Sequence, residues 1–509
     1  MTSEETRRAG RRPIPDAVVL VPVVLLPLLL LAYKMRAAVS LSPDSLLYLY
    51  AAKSLAAGEG LLSLYGPAGT ELTLFPPLYP ALLALLGAVT PSYTMAAALL
   101  GMAGLALSSA LTFLLARGEG LRAGAAAVLA LAVFLNSGPQ MVFSYVWSEV
   151  PYIVLVLVLL FLLARPPRLG PLGFGILLGL LVGAAFLTRY IGVTLLPAVL
   201  LGIAALDRIP LERRIVCGVS ATATAALVVA AMVLRNMLAD GTAFGGRTPT
   251  DDTLLFALGR LLSAFGQFLL PFESLGLVWG VLGFVGLAAL VLLLVRHGRL
   301  DRADAVTVTA AAMVVLHLAM LIYSQITTAI DPINIRLLSP IFAPLAVLFA
   351  RGLALWSRTA DGSRVGAIAP YAAAAYLLVI TGQAIAAANL GAGGFTLTYP
   401  TPPAVPQACR SGERPTFTNW PGYLRFLGLV ADAKPLPRET AYRQAQQADD
   451  WGDFLATVER GGACLIWAAS VRDTMPPKEA LLGGPAEDVA FDIVWQEPGM
   501  AVAVLRPAR

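Results

Sequence analysis

Apolar runs about as long as a bilayer is thick recur along most of this chain, and no water-soluble fold buries so many. They lie near residues 17–35, 93–115, 123–141, 149–164, 171–188, 191–206, 215–234, 273–295, 305–323, 337–356 and 365–388. Roughly 20 such residues as a helix cross a hydrocarbon core of about 30 Å. With 58% hydrophobic and 13% charged residues and a mean hydropathy of +0.76, a soluble domain of this length is excluded. The expected fold class is an all-α polytopic membrane protein with about eleven transmembrane helices. The opening MTSEETRRAGRRP has no small-residue cleavage site before the first run. It is therefore expected as a retained cytoplasmic tail rather than a cleaved signal.

Charge gives the expected orientation. With the N-terminus inside, seventeen arginines fall in short inside segments: Arg7, Arg8, Arg11, Arg12, Arg117, Arg122, Arg165, Arg168, Arg208, Arg213, Arg214, Arg296, Arg299, Arg302, Arg351, Arg358 and Arg364. Such an excess marks cytoplasmic loops. The opposite loops carry acids instead: Asp44, Glu59, Glu71, Glu149, Asp240, Asp251, Asp252, Glu273 and Asp331. Lys34 and Arg36 run against the trend. The net charge of +5 follows from this topology and carries no suggestion of nucleic acid.

Two long outer loops interrupt the body. In the first, 36–92, Ser42 and Pro43 read as a helix start and Gly58 as its end. The segment FPPLYPALLALLGAV then gives a short interfacial or re-entrant helix. In the second, about 235–272, Thr250 or Asp251 is expected to cap a helix with apolar residues at helical spacing. From Asn389 onward the composition turns polar. Strands near Thr416–Thr418, Ala463–Ala468 and Ala501–Leu505, with helices near Gly422–Leu427 and Glu439–Glu459, predict a small extracytoplasmic α/β domain over 389–509. The membrane body then covers 1–388. Cys217 reads as a packing residue, whereas Cys409 and Cys464 are either a disulfide or two buried thiols.

The charged residues at the outer rim are where chemistry is expected. Asp44, in the first turn of a helix, suits general-base work on a hydroxyl. Glu149, in VWSEVPY, is a second acid at a span mouth, where charge is costly. Arg189, Arg235 and Arg336 sit at outer ends of spans, where a guanidinium fork fits a lipid phosphate or snorkels to outer-leaflet headgroups, and Lys53 either reaches the same phosphate or is a solvated helix residue. Tyr48, Tyr79 and Tyr190 accompany these charges and are expected to contact substrate. There is no GxxxxGK[ST] phosphate loop and no Asp-x-Asp, and only two histidines, His297 and His317, so an outer His-based metal site or triad is not expected.

Taken in order, these elements resemble the GT-C superfamily of membrane glycosyltransferases, and within it bacterial protein mannosyltransferase and aminoarabinose transferase-like enzymes. The elements are Asp44 in the first outer loop, Phe75–Pro80, Ser148–Pro151, Gly179–Arg189, Arg235–Gly241 and Arg336–Pro340. The resemblance implies a polyprenyl-phosphate-linked sugar as donor and a glycan, lipid or protein acceptor. It also implies transfer with inversion on the outer face of a bacterial inner membrane. Asp44 then matches the catalytic acid, Glu149 the second carboxylate and Arg336 a phosphate contact. Many relatives carry two close acids in the first loop, whereas Asp44 is followed here by Ser45, so this loop alone does not build a metal site; a divalent metal is left open. The alternative class is a lipid-linked glycan flippase or a polysaccharide polymerase or ligase.

Overall fold

The computed structural model describes residues 15–508 except 65–68, 208, 271, 297–304, 358–368, 392, 394–406, 411–412, 429, 431–432, 437–450, 469–486 and 498–499. Arg7, Arg8, Arg11, Arg12, Arg208, His297, Arg299, Arg302, Arg358 and Arg364 lie outside the described residues. The chain begins with α1 (Asp16–Lys34), followed in a long connection by α2 (Pro43–Ala56) and α3 (Leu78–Gly87). Then come α4 (Tyr93–Gly118), α5 (Ala123–Phe134), α6 (Ser137–Ser144), α7 (Glu149–Ala164), α8 (Pro171–Thr188), α9 (Leu195–Ala204) and α10 (Leu211–Asp240). A second long connection carries α11 (Leu254–Leu269), and α12 (Gly276–Arg296), α13 (Ala305–Thr327), α14 (Ile335–Trp356) and α15 (Ala369–Asn389) complete the bundle.

Each of the eleven apolar runs is helical over most of its described length. Among the described residues seven helices are long and apolar enough to cross a membrane, and α5 with α6 makes an eighth, bent by 59°. That run reads as one straight span, but Asn136 breaks it. Its side chain accepts from the Gly138 amide at 3.0 Å and donates to the Phe268 carbonyl at 2.6 Å, which starts a new helix in a new direction. The short α7 is walled in by its neighbours, with Tyr152, Ile153, Leu157, Leu160 and Leu163 all buried.

Small residues set a close helix contact. Gly175, Gly179 and Gly183 repeat every four residues along α8 and face α10. A Cβ at Gly179 would stand 2.5 Å from the Ala221 carbonyl oxygen, and one at Gly183 would stand 3.0 Å from Val228. Backbones approach this closely only over such a stripe. α8 ends at Thr188, with Arg189 as its C-cap.

The second connection differs from its expected form. α10 runs on to Asp240, where Gly241 at φ 75° ends it, so Arg235 lies within a helix. The cap of α11 is Thr253, whose hydroxyl accepts from the Phe256 amide at 3.2 Å. Thr250 instead accepts from the Asp252 amide at 3.3 Å, which holds an extended approach to the helix rather than starting it.

Beyond the bundle lie α16 (Gln407–Arg410), β1 (Thr416–Thr418), α17 (Pro421–Phe426), β2 (Lys434–Pro435), α18 (Trp451–Gly461), β3 (Ala463–Ala468), β4 (Val489–Glu497) and β5 (Met500–Pro507). The sheet order is β2-β1-β3-β5-β4. β1 runs parallel to β2 and β3, while β5 is antiparallel to β3 and β4. The expected helix at Glu439–Glu459 is described only from Trp451, and its first half lies outside the described residues. β4 was not expected: a register shift between Ile493 and Trp495 interrupts its alternation of apolar and polar residues. Cys409 and Cys464 form a disulfide that ties α16 to β3, and Cys217 is a buried thiol.

This region shares a core with the first connection. Leu46, Leu49 and Tyr48 of α2 pack in one cluster with Cys409, Trp420, Tyr423, Ile466, Met500 and Val502. The helix that carries Asp44 is therefore held between the bundle and the C-terminal sheet.

Candidate active site

Four separate elements bring the central charges together. Ser42 caps α2 in a reciprocal box with Ser45, each accepting from the other's amide, at 3.3 and 2.9 Å. Pro43 follows as the first helical residue, which leaves Asp44 in the first turn. Glu149 is the first residue of α7. Arg336 is the second residue of α14, whose cap Asn334 accepts from the amides of Arg336 and Leu337 at 3.0 and 3.2 Å. Arg189 ends α8.

Arg336 bridges the two acids. Its Nη2 lies 2.6 Å from Asp44 Oδ2 and its Nε 2.5 Å from Glu149 Oε1. Arg189 Nη1 reaches the same Glu149 oxygen at 2.5 Å. Glu149's side chain is 0% exposed and that of Arg336 10%, so the cluster is removed from water. A helix N-terminus disfavours a cation, and the α14 N-terminus accommodates Arg336 only with Asp44 and Glu149 against it. Two carboxylates and two guanidiniums balance in formal charge. Glu149 Oε2 is buried and has no hydrogen-bond partner among the described residues.

A second layer surrounds these groups. Trp147 lies under Arg336, with the guanidinium carbon 4.2 Å from the ring centroid. Ser148 Oγ accepts from Arg189 Nη1 at 3.3 Å and lies 2.9 Å from the Tyr48 hydroxyl. Burial, and then the charges of Asp44 and Glu149, push the Tyr48 phenol above its ordinary range, so it stays neutral and hydrogen-bonded. At the rim, on the connection between α13 and α14, Asp331 faces the same charges. Desolvation and the negative charge of Asp44 raise its carboxyl from the ordinary range, Glu149 adding to this and Arg336 opposing it.

The other expected residues distribute differently. Tyr79 is buried edge-on against Tyr48, ring centroids 5.1 Å apart, and Phe75 packs on Tyr48 at 5.2 Å. The FPPLYP segment thus builds the wall behind the Asp44 helix. Tyr190 belongs to a second polar group: its hydroxyl donates to the Thr73 carbonyl at 2.6 Å and accepts from Asn236 at 2.8 Å. Arg235 reaches the Leu72 carbonyl at 2.5 Å and Glu71 at 2.8 Å, which fastens the first connection to α10. Lys53 lies over the Phe426 ring at 4.3 Å, against the C-terminal region. Neither cation joins the Asp44–Glu149 cluster in this structure. Trp147, Ser148 and Asp331 are site residues to which sequence reasoning gave no site role, although Asp331 stood among the outer acids and Ser148 opened the Ser148–Pro151 element. The first two flank Glu149 in VWSEVPY, and that adjacency was the available signal. Among the described residues no three His, Cys, Asp or Glu side chains come together as metal ligands.

The same architecture occurs in solved structures. ArnT from Cupriavidus metallidurans, in a crystal structure bound to undecaprenyl phosphate, superposes with a TM-score of 0.58 over 95% of this chain and 97% of its own, at 14% identity. The chain has the same fold as ArnT, as the resemblance to the GT-C superfamily leads one to expect. Arabinofuranosyltransferase AftD from Mycobacteria matches 98% of this chain with 40% of its own length, at a TM-score of 0.55 and 15% identity. An Archaeoglobus fulgidus oligosaccharyltransferase tethered with an acceptor peptide covers 82% of this chain and 63% of its own, at a TM-score of 0.50 and 13% identity. No protein-family model matches the sequence, and no curated protein does. At such identities the GT-C likeness is one of fold, and the chemistry has to be argued from this chain's own residues.

Proposed function

We propose that this chain is an inverting glycosyltransferase that moves a sugar from a polyprenyl-phosphate donor to an acceptor hydroxyl. The observation that carries the proposal is the buried Asp44–Arg336–Glu149–Arg189 cluster. Burying four charges costs stability that well-packed apolar residues would not, and such clusters concentrate at functional sites. The fold shared with ArnT, whose structure holds undecaprenyl phosphate, supports a lipid phosphate as the anion that the guanidiniums serve.

The chemistry follows from the geometry. A phosphate oxyanion competes with Asp44 for Arg336, since the guanidinium fork binds either anion. Once released, Asp44 accepts the proton of the acceptor hydroxyl. The acceptor oxygen then forms a bond to the anomeric carbon from the side opposite the phosphate. The sugar–phosphate C–O bond breaks, and its electron pair leaves on the lipid phosphate, whose growing charge Arg336 and Arg189 stabilise. A donor whose tail stays in the bilayer also accounts for a catalytic body built of membrane spans. The charge asymmetry of the loops supports a cytoplasmic N-terminus. It likewise supports a reactive face and a 389–509 domain on the outer side of a bacterial plasma membrane.

The test is sugar transfer and lipid-phosphate release in proteoliposomes. Asp44→Asn removes a base and keeps the shape. Transfer is expected to fall by roughly 10²- to 10⁴-fold with membrane insertion unchanged, while loss of the ion pair with Arg336 lowers the unfolding midpoint in detergent. Transfer retained in that variant overturns the assignment of Asp44. Movement of a lipid-linked sugar without release of lipid phosphate by the wild-type protein overturns the transferase reading in favour of a flippase.

A further inference from the structure

The segment Tyr145–Glu149, YVWSE, contacts Ser42, Tyr48, Arg189 and Arg336, and its Trp147 has no role in the chemistry above. Trp147 is 6% exposed and offers no free ring face. Tyr145 stacks on one side, with centroids 4.1 Å apart and planes 12° apart, and Arg336 covers the other. Its Nε1 donates to Ser42 Oγ at 2.7 Å. That oxygen also accepts from the Ser45 amide, using the two acceptor positions that a hydroxyl has.

We propose that Trp147 is a positioning residue that fixes the Asp44 helix and the Arg336 guanidinium relative to each other. Its N–H sets the cap of α2, two residues before the acid. Its face holds the plane of Arg336, so that Nη2 meets Asp44 and Nε meets Glu149. The guanidinium is desolvated there, where a cation–π contact is strongest. Backbone contacts already join the two segments without the indole: the Ser40 amide donates to the Ser144 carbonyl at 2.9 Å and the Val146 amide to the Ser40 carbonyl at 3.3 Å. The Trp147 N–H is therefore not required to hold the chain together, and its loss reads out as misplacement. This inference rests on the glycosyltransferase reading.

Two arms test it on the full-length protein. In the kinetic arm Trp147→Phe, Ser42→Ala and the double variant are assayed in proteoliposomes with the undecaprenyl-phosphate sugar that the wild type consumes. Trp147→Phe keeps an aromatic face and loses the donor, so kcat is expected to fall about fivefold to tenfold with donor KM nearly constant. Ser42→Ala, which also deletes the cap accepted from the Ser45 amide, should lose at least as much, and the double variant no more than Ser42→Ala alone, because the bond that Trp147→Phe removes is then already gone. In the binding arm undecaprenyl phosphate itself is the probe, in detergent. Trp147→Leu is expected to weaken its Kd by on the order of tenfold, and Trp147→Phe to restore it.

Unchanged kcat in Trp147→Phe, losses that multiply in the double variant, or an unchanged Kd in Trp147→Leu each overturn the proposal. Should Trp147→Leu fail to insert, the cycle between Trp147→Phe and Ser42→Ala still decides. A wild type that consumes no polyprenyl-phosphate sugar sinks the transferase reading instead, while the binding arm continues to test the link between Trp147 and Arg336.

Discussion

The two ends of the helical bundle treat their charges in opposite ways. At the end away from the site, charges pair two by two: Arg117 with Asp16 at 3.0 Å, Arg214 with Asp207 at 3.8 Å and Arg351 with Glu119 at 3.6 Å. Asp16 and Asp207 are 46% and 87% exposed there, and those two pairs contribute about 0–1 kcal/mol; Glu119, 4% exposed, is the one buried acid of the three. At the site end four charges from four elements share one buried cluster, and a single Glu149 oxygen takes two guanidiniums. That arrangement is a poor way to gain stability, because desolvation offsets much of the attraction. One end is tuned for tolerance, and the other holds charge where water is scarce.

Substitution can break this contrast, beginning with the largest effect. Glu149→Gln leaves Arg336 with Asp44 alone and takes from Arg189 its carboxylate, and removing one partner of a buried ionic cluster costs roughly 3–5 kcal/mol. A sharply lowered unfolding midpoint in detergent is expected, together with loss of transfer; a wild-type midpoint would remove the claim that the cluster is electrostatically strained. Arg336→Lys keeps the charge and loses the fork. We expect kcat/KM for the donor to fall by about 10- to 100-fold, roughly 1.4–2.7 kcal/mol, whereas equal activity would mean that a point charge suffices. Arg235→Gln frees Glu71 and the Leu72 carbonyl, with an expected loss of about 1 kcal/mol, and faster proteolysis of the first connection would be its signature. Arg117→Gln, at the opposite end, should change the midpoint by less than about 1 kcal/mol and leave transfer intact. A loss there as large as that for Glu149→Gln would erase the difference between the two ends.

The residues legible in the sequence are those that break a local trend. Asp44 follows a Ser-Pro helix start, Glu149 opens an apolar run, and Arg189 and Arg336 stand at span ends away from the arginine-rich inner loops. By the same logic Arg235 and Lys53 stood out equally, yet one fastens Glu71 and the other rests on Phe426. Which helix ends become neighbours is tertiary information, and one sequence carries little of it. Trp147 illustrates the limit: a stacked, cation-bearing indole looks like any apolar residue until Arg336, 189 positions away, is placed on its face. The spans were clear because hydropathy acts locally, whereas the bend at Asn136 and the bulged β4 were hidden because each interrupts the periodicity by which elements are read.

The shared core of α2 with β3 and β5 has a consequence in time. Met500 and Val502, which close over the apolar side of the Asp44 helix, leave the ribosome roughly 450 residues after Asp44. At about 5–20 residues per second that delay is on the order of tens of seconds. Through that interval the helix waits without its cover and the Cys409–Cys464 bond has not formed. The acid is synthesised early and seated late, so a nascent chain reaches the membrane well before its reactive centre is assembled.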